Sequence, residues 1–354
     1  YNVEPILLAP FDSEDYSTSI LKEARALGIK CISARFYPFK WYYNKKPVSF
    51  IKYASNFINY RSILKKIRKE KPDLIHTNSS IIDIGGFLSS KLKIKHVWHF
   101  REFGDMDFNM KPLLGRAQEK RLYRKADKFI AVSQSIKNRY LQYIQPESKI
   151  NVIYNGLPLE EPSGLPKAEN NDGIVRFCIT GAINEAKRQI DALKSMDILI
   201  NQRSQKNIHL YIVGDGWHRE ILEKFSKAHG LSEYVTFMGW INNVNEHIKR
   251  FDVGLTLSTN EGFGRVTVEY MRAGLAVIAS DSGANPELIK DKETGLLYPV
   301  GNIEALSDKM ALIANDSDLR HQIAKAGYEY SMTHFLSKDN TKAIYDLYTT
   351  LLHS

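Results

Sequence analysis

Short apolar runs rich in valine and isoleucine alternate along the chain with longer stretches in which apolar residues return every three or four positions. The runs read as strands of a mostly parallel sheet and the stretches as helices packed on it, which predicts βα units and an α/β fold. Strands are predicted at residues 5–9 (PILLA), 29–33 (IKCIS), 73–77 (DLIHT), 95–100 (KHVWHF), 128–132 (KFIAV) and 150–154 (INVIY). A second set follows at 175–180 (VRFCIT), 208–213 (IHLYIV), 234–238 (YVTFM), 252–257 (DVGLTL) and 275–280 (LAVIAS). Between the sets, LPLEEPSGLPKAENNDG (157–173) carries three prolines, two glycines and little apolar content, and reads as a linker. From about Ile303 the pattern is purely helical, closing with an amphipathic stretch around Ala343, Ile344, Leu347, Leu351 and Leu352. The predicted organisation is a doubly wound domain at 1–156, the linker, a second doubly wound domain at 174–335, and a closing helix at 336–354.

A chain of 354 residues suits two such domains, and 43% hydrophobic with 25% charged residues is enough to build their cores and excludes a disordered chain. Cys31 and Cys178 each lie in an apolar run, so both read as core thiols in a reducing, cytoplasmic setting, without a disulfide. No apolar run approaches the roughly 18 residues that span a bilayer. The charge is unevenly divided. Residues 1–156 hold 28 Lys+Arg against 14 Asp+Glu, or +14, and residues 157–354 hold 21 against 26, or −5. The basic half suits an anionic membrane surface, a phosphorylated acceptor or nucleic acid, or is a plain solvated surface. Within it, KWYYNKK (40–46) and RSILKKIRKEK (61–71, with Ile63, Leu64 and Ile67) are candidates to lie on lipid headgroups, and the second also reads as the solvent face of a helix packed on a sheet.

Two sheets joined by a linker predict a cleft, with ligands beyond the carboxyl ends of the strands. After DVGLTL comes STNEGFGRVTVEYMRAG (258–274), where the turn Gly262-Phe263-Gly264 opens a helix. Such a turn lets backbone approach a ligand, and the helix start favours phosphate. Glu261 and Glu269 flank it with E-x7-E spacing. On one helix they would stand about 12 Å apart, beyond the roughly 5–9.5 Å of paired glycosidase carboxylates. The pair therefore suits two ends of one long ligand, one carboxylate on a sugar and one on a ribose. ITGAINEAKRQ (179–189) places Gly181, Lys187 and Arg188 after another strand, where cations counter a diphosphate or are merely solvated. Gly214-Asp215-Gly216 and Gly239-Trp240 follow two further strands and are candidates for the cleft rim or ordinary turns.

In the first half, HVWHFREFGDMD (96–107) puts His99, Arg101 and Glu102 at a strand's end. His99 is a candidate for a sugar hydroxyl, while Arg101 and Glu102 are candidates for the acceptor or for each other. The plain alternative is a buried, satisfied histidine with a structural ion pair. Asp105 and Asp107 form a D-x-D triplet of a kind that can hold a metal, but it is short and lies away from the other nucleotide candidates, so no metal site is assigned.

EGFGRVTVEYMRAGLAVIASDSGANPELIKDKETGLLY (261–298) resembles the E-x7-E segment, Gly/Glu loop and T-G-L-L strand of the retaining GT-B glycosyltransferases of family 4, also called glycosyl transferases group 1. VIYNGL (152–157) is similar to that family's sequence before its interdomain linker, and the closing helix resembles one that crosses back onto the first domain. The resemblance covers nearly the whole chain. It implies a GT-B fold with acceptor binding in the first Rossmann-like domain and nucleotide-sugar binding in the second. By it, Glu261 contacts the transferred sugar, Glu269 the ribose, Lys187 the diphosphate and His99 the sugar. It further implies a UDP- or GDP-linked donor, retention of configuration, no metal, and a donor phosphate that assists deprotonation of the acceptor. The implied setting is surface polysaccharide assembly on a saccharide or lipid-linked saccharide, peripheral on the inner membrane face.

Two departures stand out. Ala182 follows Gly181 where relatives usually carry arginine, and Tyr1 begins in what resembles the family's second strand, so a chain lacking roughly one βα unit is expected. Two other function classes share the architecture: a nucleotide-sugar epimerase, which needs no acceptor, and a catalytically silent partner, which the presence of Glu261, Glu269, Lys187 and His99 disfavours. A nicotinamide dehydrogenase would need G-x-G-x-x-G, which does not occur, and nucleic-acid binding rests on the basic half alone.

Overall fold

A computed structural model describes residues 1, 3–10, 16–42, 46–158 and 172–354, without the side chains of 16–19, 42, 46, 107 and 108. Residues 159–171, most of the predicted linker, and 43–45 of the KWYYNKK segment lie outside the described residues. The chain divides into two compact units. Unit 1 comprises Tyr1–Val132, Ile136–Ile153 and Lys342–Ser354, and unit 2 comprises Ser133–Ser135 and Tyr154–Thr341.

Unit 1 runs β1 (Ile6–Pro10), α1 (Tyr16–Ala26), β2 (Lys30–Ala34), β3 (Lys40–Tyr42), α2 (Lys46–Glu70), β4 (Leu74–Thr77), α3 (Ile84–Leu92), β5 (Lys95–Phe100), α4 (Asp105–Phe108), β6 (Met110–Pro112), α5 (Gly115–Tyr123), β7 (Lys128–Ala131), α6 (Gln134–Tyr140) and β8 (Ile150–Val152). Strands β4-β5-β7-β8 form one parallel sheet and β1-β2 another, while β3 and β6 pair antiparallel. The last two had no signature in the sequence, because three-residue strands are too short to show a period. Ile63 and Ile67 of α2 pack with Ile84 and Leu88 of α3 in a core that also takes in Leu8, Ile32 and Ile75 from β1, β2 and β4. Those two isoleucines therefore face the sheet, not a membrane. Lys40 is likewise no headgroup ligand: it is buried and pairs at 2.5 Å with the buried Glu119, with the rings of Phe39, Tyr123 and Tyr140 about its ammonium group.

Unit 2 runs β9 (Val175–Thr180), α7 (Gln189–Asp197), β10 (Ile208–Val213), α8 (Arg219–Ala228), β11 (Val235–Gly239), α9 (Val244–Ile248), β12 (Val253–Thr256), α10 (Arg265–Arg272), β13 (Ala276–Ser280), α11 (Asn285–Leu288), β14 (Leu296–Tyr298), α12 (Ile303–Asn315), α13 (Ser317–Thr333) and α14 (Ser337–Leu352). Its six strands lie in the order β11-β10-β9-β12-β13-β14, all parallel. That is the doubly wound order, with the chain reversing direction between β9 and β12, and such a switch point is where open α/β sheets bind ligands. From Lys342 on, α14 belongs to unit 1, and there Ala343, Ile344, Leu347 and Leu351 pack with Val97, Ile130 and Ile153 in that unit's own core. Leu352, expected on the same face, is instead 46% exposed.

The switch point has its own construction. β9 and β12 pair only at Phe177↔Val253 and Cys178↔Gly254 and then separate. The amide of Thr180, left without a strand partner there, donates to the hydroxyl of Tyr270 at 2.7 Å. Tyr270 comes from α10, is fully buried, and crosses over Gly254, where a Cβ would lie 2.3 Å from its ring. Gly254→Ala is therefore expected to destabilise unit 2 by about 2 kcal/mol through overpacking, read as an earlier urea midpoint with unchanged m value. A midpoint equal to wild type would show that Tyr270 can move at no cost.

Candidate functional site

Loops from both sides of the switch point carry the charged candidates. After β9, Gly181 has φ +136° and the chain passes into a single 3-10 turn at Glu185–Lys187, capped by Asn184, whose Oδ1 accepts from the Lys187 amide at 3.0 Å. Lys187 thus ends this turn, and α7 begins after it. The loop is pressed against the next one: a Cβ on Gly214 would lie 2.0 Å from the Gly181 carbonyl oxygen, and one on Gly216 2.2 Å from that of Ile183. Those two glycines hold the Gly181–Ile183 backbone in place.

After β12, Glu261 comes to meet Lys187. The ammonium group donates to Glu261 Oε2 at 2.8 Å, with both side chains partly open to solvent. The Glu261 segment is clamped from behind, since the Ala284 amide donates to the Glu261 carbonyl at 2.8 Å and a Cβ on Gly283 would fall 2.3 Å from the Glu261 backbone nitrogen. Asn285 anchors the clamp, donating to the Ser280 carbonyl at 3.2 Å and accepting from Thr267 Oγ1 at 3.2 Å. Gly254, Tyr270, Gly283 and Asn285 carry no mark of their own in the sequence. The only signal was their place within the E-x7-E segment and the loop after it.

Gly264 has φ +82° and precedes α10 directly, so the predicted helix start stands. Glu269 lies in α10, where its Oε1 accepts from Arg265 Nε at 2.7 Å. Arg265 is mostly exposed and Glu269 mostly buried. Two donor candidates turn elsewhere. The Phe263 ring is buried against Tyr154 and Phe335, which leaves that residue's backbone alone for a ligand. Arg188 adopts φ +53° and is held by the buried Asp191, at 2.5 and 3.1 Å, so its charge is already committed. At the end of β11, Gly239 has φ +69° and accepts from the Gly214 amide at 2.8 Å, while Trp240 is 78% exposed. Trp217, after the Gly214-Asp215-Gly216 turn, is exposed in the same manner and was not anticipated.

In unit 1, His99 is completely buried in β5. His76 Nε2 lies 3.2 Å from its Nδ1, and Tyr348 of α14 hydrogen-bonds His76 Nδ1. Among the described residues His99 Nε2 has no hydrogen-bond partner, and a buried, orphaned ring nitrogen calls for one. The half-satisfied ring departs from the satisfied core histidine that was the plain alternative. Burial, with smaller contributions from Arg101 and His76, holds His99 at about 2, far below the usual histidine value, so the ring is neutral. Glu102 is held through one of its two carboxylate oxygens. Its Oε1 accepts from Ser79 Oγ at 2.6 Å, the Ser80 amide at 2.7 Å and Ser80 Oγ at 3.0 Å, which fixes the loop after β4. Arg101 Nε donates to Asn78 Oδ1 at 2.5 Å. Of the D-x-D pair, Asp105 is taken up by Arg139, and the side chain of Asp107 lies outside the described residues.

Residues 21–161 match Glycosyltransferase Family 4 and residues 166–330 match Glycosyl transferases group 1. The chain is a glycosyltransferase of these families. It is 29% identical over 283 residues to the uncharacterized glycosyltransferase MJ1178 of Methanocaldococcus jannaschii, a match covering 78% of this chain and 76% of that one. It is 24% identical over 274 residues to the GalNAc-alpha-(1->4)-GalNAc-alpha-(1->3)-diNAcBac-PP-undecaprenol alpha-1,4-N-acetyl-D-galactosaminyltransferase of Campylobacter jejuni, covering 77% and 73%. Among solved structures, Anabaena Alr3699/HepE in complex with UDP superposes with a TM-score of 0.77 at 18% identity, covering 97% of this chain and 92% of that one. This glycosyltransferase accordingly has the GT-B fold, with two Rossmann-like domains. Among the described residues, no helix is long and apolar enough to cross a membrane.

Proposed function

We propose that this glycosyltransferase transfers a sugar from a UDP- or GDP-linked donor, with retention and without a metal, onto a lipid-linked saccharide during surface polysaccharide synthesis. One observation carries the donor half of the reading: the Lys187–Glu261 pair, 2.8 Å apart, on the two loops that leave the switch point of the unit 2 sheet. In the free protein each neutralises the other. When a nucleotide sugar enters, Lys187 turns to the diphosphate and Glu261, released, accepts hydroxyls of the sugar, while Glu269 takes the ribose and exposed Trp240 a flank of the nucleotide. In the reaction the acceptor oxygen bonds to the anomeric carbon, the bond from that carbon to the phosphate oxygen breaks, and the departing diphosphate takes the acceptor's proton. Lys187 opposes the charge that accumulates on the leaving group. In unit 1, the orphaned His99 Nε2 is the candidate partner for a sugar hydroxyl and Arg101 for the acceptor.

Relatives support the choice of substrates. HepE is solved with UDP and with UDP-glucose, and the name of the Campylobacter relative describes an undecaprenyl-diphosphate acceptor. A peripheral position at the inner membrane face belongs to the same reading. The test is an EDTA-containing assay of UDP or GDP release from a set of sugar conjugates, with and without polyprenyl-diphosphate saccharides. Release that requires the acceptor, with an α-linked product from an α-linked donor by NMR, is the expected result. Acceptor-independent conversion of the donor would instead mark an epimerase.

A further inference from the structure

Helix α2 carries apolar side chains on both of its faces. Tyr60, Ile63 and Ile67 point into the unit 1 core, as one face of a helix packed on a sheet must. On the opposite side Val48 is 59%, Ile51 72%, Phe57 72% and Ile58 74% exposed, and Phe50 is also exposed. At about 100° per residue, Pro47, Ile51, Ile58 and Lys65 fall within about 40° of one another, at the centre of the outward face, with Phe50, Phe57 and Arg61 beside them. The face is graded along its length: apolar over its first half, then cationic, with Arg61, Lys65, Lys66, Arg68 and Lys69 all exposed. The helix has one acid, Glu70, at its very end, and Lys30 pairs with it.

Beside this face, Lys52 Nζ lies 5.9 Å above the ring of Trp41. Arg61 lies 4.8 Å over the ring of Phe57, so cation and aromatic ring already share one surface. An exposed apolar patch rimmed by charge of one sign marks a binding surface. A protein partner would have to meet five cations with acids of its own, whereas an anionic bilayer supplies both an acyl region for the apolar half and phosphates for the basic half.

We propose that the outward face of α2 docks on an anionic lipid bilayer, with Ile51, Phe57 and Ile58 among the acyl chains and Arg61, Lys65, Lys66 and Lys69 on the headgroups. The proposal builds on the lipid-linked acceptor reading, since it presents unit 1 to the surface that would hold such an acceptor. It keeps the cations of the 61–71 segment that the sequence suggested but replaces its apolar members Ile63, Leu64 and Ile67 by Ile51, Phe57 and Ile58.

The test is flotation of the full chain with phosphatidylcholine vesicles, with and without phosphatidylglycerol, for wild type, Ile51→Ser/Phe57→Ser/Ile58→Ser and Lys65→Gln/Lys66→Gln/Lys69→Gln. Melting curves check folding, and UDP titration reports the donor site in unit 2 separately. Wild type is expected to float with the anionic vesicles only, and each triple variant to bind them roughly 30-fold or more weakly with UDP affinity unchanged. Equal flotation with neutral vesicles, no flotation of wild type, or flotation of the serine variant like wild type would each overturn the proposal. So would a wild-type dimer in sedimentation that the serine variant dissolves, which would make the face a protein interface. Flotation without nucleotide binding would leave the membrane surface standing and sink the donor reading instead.

Discussion

Lys187→Ala is expected to lower turnover about 100- to 1000-fold, the loss that follows when one preorganised donor to a developing anion is removed from an enzyme site. The leaving diphosphate gains charge as the sugar departs, and Arg188, the nearest alternative cation in sequence, is committed to Asp191 at 2.5 Å. Ala182 supplies no charge at the position where an arginine was expected. On the proposed reading Lys187 would therefore hold the diphosphate with little help. Because Glu261 loses its partner as well, the variant is also expected to melt slightly earlier. Lys187→Arg restores the charge but not the reach, and is expected to recover only part of the rate. Steady-state rates with a saturating donor decide the matter, and a loss under fivefold would remove Lys187 from the mechanism.

Acidification is expected to unfold unit 1 selectively. Burial is the first cause of the low values of three histidines: His76 at about 4, His96 at about 3 and His99 at about 2. Arg101 lowers His76 and His99 further, and His76 lowers the other two. All three are neutral when folded and take up protons near the ordinary value of about 6.5 when unfolded. A depressed histidine contributes stability that is fully present above the unfolded value and is lost as the pH falls below it toward the folded one. At pH 5 the unfolded state therefore gains up to three protons, which costs about 4 to 6 kcal/mol relative to pH 8. Asp83, whose carboxyl is raised by burial and accepts from Tyr60 at 2.6 Å, opposes this in part, because it prefers the protonated state. A drop of roughly 10 °C in the unit 1 transition between pH 8 and pH 5 follows. Near-UV circular dichroism, dominated there by the Trp98, Tyr123 and Tyr140 rings, would follow it, and a melt independent of pH in that window would mean the rings are hydrated.

The second sheet was the easiest part of the fold to read from sequence. Its strands are largely apolar runs such as VRFCIT and LAVIAS, because a parallel strand covered on both faces leaves little polar alternation. The Glu261 segment was legible for the same local reason: a strand, a glycine turn and a helix succeed one another within it. What escaped was everything decided by distant segments meeting. Tyr270 looked like one more apolar residue of α10 until its hydroxyl was found filling the gap between β9 and β12, and Gly254 like an ordinary strand glycine until that ring lay across it. Phe263 sits in the middle of the site motif, yet its ring belongs to a core with Tyr154 and Phe335, which no spacing reveals. His76 was unmarked because its meaning comes from His99 and from Tyr348, 272 residues away along the chain. The face of α2 escaped for a different reason: apolar residues around the whole helix blur the amphipathic period, so only exposure shows which of them lack a core.

The central claim is that unit 2 binds a nucleotide sugar through Glu269 and the Lys187–Glu261 pair. Titration calorimetry of UDP, GDP and ADP and their sugar conjugates into wild type and Glu269→Ala, in EDTA, tests it most directly. The account predicts micromolar binding of one nucleotide series, weakened about tenfold in the variant by loss of a charged hydrogen bond to the ribose. No binding of any nucleotide to a folded wild-type chain, or equal binding by the variant, would contradict it.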